Sequence, residues 1–114
     1  MGSESFVSYP LMIYLTAHET DVPLSREGKF PLGCTVTTPP ALAGVPSAEM
    51  LTALFRHQQG DWGDVCEHDR LENEAALREG FRLHSVFQTK AGVNFWIITE
   101  SDRSVTTVLL PEDY

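Results

Sequence analysis

The chain has 114 residues, 42% of them hydrophobic, and its 16 acidic side chains against 8 basic ones give a formal charge of -8. This length suits a single domain with a modest core, burying about two-thirds of its unfolded surface, and the hydrophobic share is too high for a disordered chain. The acidity argues against direct nucleic-acid binding, because phosphate neutralisation draws on Lys and Arg, and it favours partners with basic surfaces.

The longest apolar runs, Leu11 to Leu15 and Phe95 to Ile98, are strand-sized, well short of the ~18 residues that span a bilayer. The start MGSESFVSYP has neither the cationic opening nor the continuous apolar segment of a signal peptide, so the cytoplasm is the expected compartment. Cys34 and Cys66 stand in different contexts and are expected to stay reduced there.

Tyr9 to Ala17 is rich in β-formers and apolar on both faces, which predicts a buried strand. His18 to Phe30 carries charges, Pro23 and Gly28 and reads as a connection before a second strand near Leu32 to Thr38, which Pro39-Pro40 ends. Ser47 after Pro46 is a candidate N-cap for a helix from Ala48 to about Gln59, with Met50, Leu51, Leu54 and Phe55 as its apolar stripe and Gly60 as its C-cap. After the loop DWGD a second helix is expected over Glu67 to Glu79, stopped by Gly80; its many acids place it on the surface with a narrow packed face. From Phe81 the period becomes two. A strand to Gln88, a turn at Lys90-Ala91-Gly92, the strand Val93 to Thr99, a turn over Glu100 to Arg103 and a strand Ser104 to Leu110 form a three-stranded antiparallel meander. The fold class expected is α+β, a small antiparallel sheet of the meander plus the N-terminal strands, packed with two helices over residues 1–114.

The densest run of liganding side chains is His57, Asp61, Asp64, Cys66, His68 and Asp69. Its spacing does not match structural zinc sites, and loop carboxylates between helices are ordinarily solvated caps, so no metal and no cofactor is assigned. Trp62, between Gly60 and Gly63, either plugs the core beneath the loop or stands out as an interface anchor; burial is the ordinary fate of Trp in a small domain. A second cluster, Glu100, Asp102, Arg103, Ser104, Thr106 and Thr107, sits at a hairpin. Arg103 pairing with Glu100 or Asp102 is its plain reading, and acid–base cleavage of a phosphodiester by His84 with Arg103 is the chemical one. His18 and His57 read as ordinary surface histidines. No Gly-rich phosphate loop and no nucleophile–His–acid arrangement is visible.

From Arg56-His57-Gln58-Gln59-Gly60-Asp61-Trp62-Gly63 through Asn73 and Ala75 to the ending WIITESDRSVTTVLLPEDY, the chain resembles a family of short bacterial proteins carried on plasmids and other mobile elements. The resemblance covers about Leu42 to Tyr114 and implies no particular activity. A mobile-element setting implies a host-defence inhibitor as a class.

Seven of the sixteen acids fall between Asp61 and Glu79. This concentration suggests a non-enzymatic protein whose acidic helix and preceding loop meet a basic, nucleic-acid-handling partner, such as a CRISPR interference complex or a restriction enzyme. The expected interface is Asp61, Trp62, Asp64, Glu67, Asp69, Glu72 and Glu74. Two alternatives stand beside it. One is a RelE-like ribonuclease toxin, suggested by the order of elements but opposed by the charge; the other is a homodimeric accessory protein joined through an edge strand at Phe95 to Ile98.

Overall fold

The computed structural model describes residues 28–114 together with the backbone of residues 13–15. Among the described residues five strands form one mixed sheet: β1 (Ile13–Leu15), β2 (Cys34–Thr37), β3 (Leu83–Gln88), β4 (Asn94–Thr99) and β5 (Val105–Leu109), in the order β1-β2-β5-β4-β3. Three helices lie between β2 and β3: α1 (Pro39–Gly44), α2 (Ser47–Gln58) and α3 (Glu67–Glu79). The α+β class and the C-terminal meander are as the sequence predicts. Of the strand expected over residues 9–17 only β1 is described, and the connection over residues 18–27 lies outside the described residues.

The sheet is mixed rather than antiparallel. β2 pairs with β5 in parallel, Val36 opposite Thr107, while β5 with β4 and β4 with β3 are antiparallel. The chain leaves β2, runs through the three helices to the far edge, and returns through the meander until β5 settles beside β2. That return fixes the direction of β5.

An unexpected helix, α1, begins where the strand was expected simply to stop. Thr38 caps it by accepting from the Ala41 N–H at 3.3 Å, and a proline in the first turn removes only an amide that would lack a partner there anyway. Thr38 also donates its hydroxyl proton to Asp113 Oδ2 at 2.7 Å, tying the C-terminal 3₁₀ turn Pro111–Asp113 to the start of α1. Ser47 is the first residue of α2 rather than its cap; Pro46 precedes the helix without a side-chain bond.

The buried stripe of α2 is Met50, Ala53, Leu54, His57 and Gln58, whereas Phe55 is 51% exposed. The stripe packs on one face of the sheet with Phe30, Leu32, Ala41, Val45, Leu83, Phe87, Phe95, Ile97 and Val108. The opposite face carries Val36, Ile98, Thr107 and Leu109, all buried, and a half-buried Trp96 between the rings of His84 and Tyr114, at 4.5 and 5.6 Å. Among the described residues no helix is long and apolar enough to cross a membrane.

Candidate functional site

The loop between α2 and α3 and the helix that follows close the open edge of the sheet. The main chain of residues 62–64 runs parallel to β3: the Val86 N–H donates to the Trp62 carbonyl at 3.0 Å, and the Asp64 N–H donates to the Val86 carbonyl at 2.7 Å. Gly63 sits at φ +73, and a side chain there would collide with the Val86 carbonyl oxygen, so this close approach requires glycine. Farther along the edge, Asn73 of α3 donates from Nδ2 to the His84 carbonyl at 2.8 Å and accepts from the His84 N–H at 3.1 Å. One carboxamide thus does the work of a strand residue. Together these bonds block the pairing groups that make an exposed edge prone to association.

The seven residues expected to form an interface divide on this frame. Trp62 is 3% exposed: its ring stacks on Phe30 at 6.3 Å and meets His57 edge-on at 5.7 Å. The plug reading holds, and Trp62 offers no surface to a partner. Its indole Nε1–H donates to Glu74 Oε2 at 2.9 Å, so Glu74 serves the core as well. Asp61 accepts from Arg56 at 2.8 and 3.3 Å and from the Gly63 N–H at 3.1 Å, and the arginine bond holds its carboxyl below the usual range. Glu67 pairs with Arg70 one turn on, at 2.7 Å. Asp64, Glu67, Asp69 and Glu72 are exposed. Leu71 of the same helix is 53% exposed, and Asn73 and Ala76 supply its buried positions.

Between α3 and the second face of the sheet runs a half-open groove of about 530 Å³. Val65, Ala75, Phe81 and Val86 supply apolar walls, and His68, Asp69, Glu72, Arg82 and His84 supply polar ones. Arg82 is turned to other work, with Nη2 3.2 Å from Glu100 and Nη1 donating to the Tyr114 hydroxyl at 2.8 Å. Burial lowers the pKa of His84, keeping the ring neutral near pH 7.

The hairpin cluster is structural. Glu100 is buried and, despite Arg82 beside it, has its pKa raised by desolvation. Asp102 accepts from the backbone and hydroxyl of Ser104. Arg103, at φ +61, pairs with neither acid. Its guanidinium donates to the carbonyls of Phe81 at 2.6 Å, Ala76 at 3.1 Å, Glu100 at 3.2 Å and Ser101 at 3.3 Å, fastening the end of α3 to the β4–β5 turn. Both terminal nitrogens of Arg103 are thus given to main-chain carbonyls, a structural use that weighs against the charge-stabilising role in the cleavage reading.

His57 is not a surface residue. It is fully buried, with Nδ1 2.6 Å from Ser85 Oγ and Nε2 2.8 Å from Thr99 Oγ1. The chain of hydroxyls fixes its tautomer. Thr106 donates to the Leu32 carbonyl at 2.7 Å, which only accepts; Thr99 must then donate to Thr106, at 2.7 Å, and accept from His57. The proton therefore sits on Nε2, and Nδ1 accepts from Ser85. Desolvation, aided by His84 and Arg103, lowers the His57 pKa to about 3. The signal was present in the sequence: His57 continues the Met50–Leu54 stripe, and Ser85, Thr99 and Thr106 occupy core-facing positions on three adjacent strands.

Both cysteines are exposed and free. Among the described residues no three His, Cys, Asp or Glu side chains gather closely enough to hold a metal ion. Comparison with protein-family models, with curated proteins and with solved structures gives no match.

Proposed function

We propose that the chain is a non-enzymatic protein that binds a basic, nucleic-acid-handling partner in the cytoplasm through the exposed side of α3. The observation that carries this reading is the division of labour among its acids. Asp61 and Glu74 are taken up by the fold, while Asp64, Asp69 and Glu79 join no ion pair among the described residues and are exposed. Carboxylates without counter-charges raise the rate of encounter with a basic surface. The resemblance of the C-terminal part to short plasmid-borne proteins supports a host-defence complex as the partner, of the CRISPR-interference or restriction type.

Co-purification with the tagged protein from its source cells tests the proposal. A nucleic-acid-handling protein should be recovered, and its recovery should fall when Asp64, Glu67, Asp69 and Glu72 are together changed to Asn or Gln. Recovery of no such protein, or unchanged recovery with the neutralised variant, overturns it.

A further inference from the structure

The groove between α3 and the second face of the sheet is amphipathic along its length. Its apolar walls, Val65, Ala75 and Val86, are suited to an alkyl stem; Asp69 and Glu72 stand at its rim on successive positions of one helical face. Their nearby cations are engaged elsewhere or weak. Arg82 pairs with Glu100, and His68 lies 3.7 Å from Glu72 as a contact that carries charge only when the imidazole is protonated. The imidazole of His84, packed against Trp96 at 4.5 Å, lines the groove beside them. At about 530 Å³ the groove falls within the ordinary range for binding clefts, roughly 300–1,000 Å³, and exceeds a single side chain.

We infer that this groove receives an arginine of the basic partner, presented on a short extended segment. The arginine stem lies along Val65, Ala75 and Val86, the planar guanidinium stacks against His84, and its donors reach the carboxylates of Asp69 and Glu72. Arginine fits better than lysine here because a guanidinium combines a stacking plane with a fork of donors, whereas an ammonium offers neither. The inference rests on the proposed acidic-face binding and names what the partner inserts.

The test uses the full chain, labelled with nitrogen-15, titrated with the tripeptide acetyl-Leu-Arg-Leu-amide and with its citrulline counterpart, which keeps the shape but lacks the charge. The arginine peptide should produce saturable shifts in the amides of Asp69, Glu72, His84 and Val86, and the citrulline peptide should bind at least tenfold more weakly. Ala75→Phe, which fills the groove, and the exposed pair Asp69→Asn with Glu72→Gln should each weaken the arginine peptide at least tenfold. Equal binding of the two peptides, shifts confined to residues outside the groove, or full binding to a folded Ala75→Phe variant overturns the inference. Ala75→Phe also separates it from the broader proposal. Partner recovery that survives Ala75→Phe but is lost on neutralising the acids refutes the groove and leaves acidic-face binding standing; peptide binding in the groove without any partner recovery does the reverse.

Discussion

The buried histidine makes stability depend on pH in a way that one substitution isolates. Below pH 6.5, the reference value for a free imidazole, the unfolded chain takes up a proton at His57 that the folded chain refuses until the pH nears 3. The stabilisation is complete above pH 6.5 and is lost as the pH falls through this window, by about 1.4 kcal/mol per pH unit. Between neutral pH and pH 4.5 the loss from this residue is therefore about 2–3 kcal/mol, a large share of the roughly 5–15 kcal/mol of a small domain. His57→Gln keeps the polarity of the network, its amide donating to Thr99 and its carbonyl accepting from Ser85, but does not titrate. Urea unfolding at a series of pH values, read as midpoint and slope, gives the stability of each protein. The wild type should lose about 2–3 kcal/mol more than His57→Gln from neutral pH to pH 4.5. Parallel stability curves for the two proteins would refute the reasoning, since the carboxylates common to both would then account for all the acid sensitivity.

Other outcomes follow from the edge of the sheet and the core beneath it. Gly63→Ala, where a side chain meets the Val86 carbonyl, should cost more than about 2 kcal/mol, whereas Gly80→Ala, also at positive φ but in open space, should cost about 1 kcal/mol; equal losses in thermal unfolding would contradict the edge contact. Asn73→Ala uncovers the His84 N–H and carbonyl and should cost about 1–3 kcal/mol, with concentration-dependent association visible by light scattering; a variant that stays monomeric and as stable as wild type would show that Asn73 does not close the edge. Trp62→Ala should cost about 3–5 kcal/mol by opening a cavity between Phe30 and His57, an outcome that an exposed anchor would not produce.

Much of the fold was legible in the sequence because local signals and long-range packing agree there. Gly80 at φ +82 ends α3 as its position predicts, and the alternation Leu83, Ser85, Phe87 faces the core as the period of two requires. Misreadings arose where one residue serves two purposes. Pro39 and Pro40 stop a strand and open a helix, and only the cap from Thr38 shows the second role. The direction of β5 beside β2 depends on the whole path between them, which no local pattern encodes. At the candidate site, the density of acids was visible, but their employment was not. Glu74 and Asp61 differ from Asp64 and Asp69 only through Trp62 and Arg56, contacts made by folding. The loop Trp62 to Asp64 and the helix residue Asn73, both conspicuous in the sequence, are what close the sheet edge. Their pattern therefore reports the architecture more directly than it reports what the architecture does.

The central claim is that exposed acids on α3 steer and hold a basic partner, and the most direct test is the salt dependence of that partner's affinity. With the recovered partner purified, Kd should rise steeply with salt for the wild type. The variant with Asp64, Glu67, Asp69 and Glu72 neutralised should bind at least tenfold more weakly at low salt, with a flatter dependence. Identical affinities and identical salt slopes for the two proteins would contradict the claim.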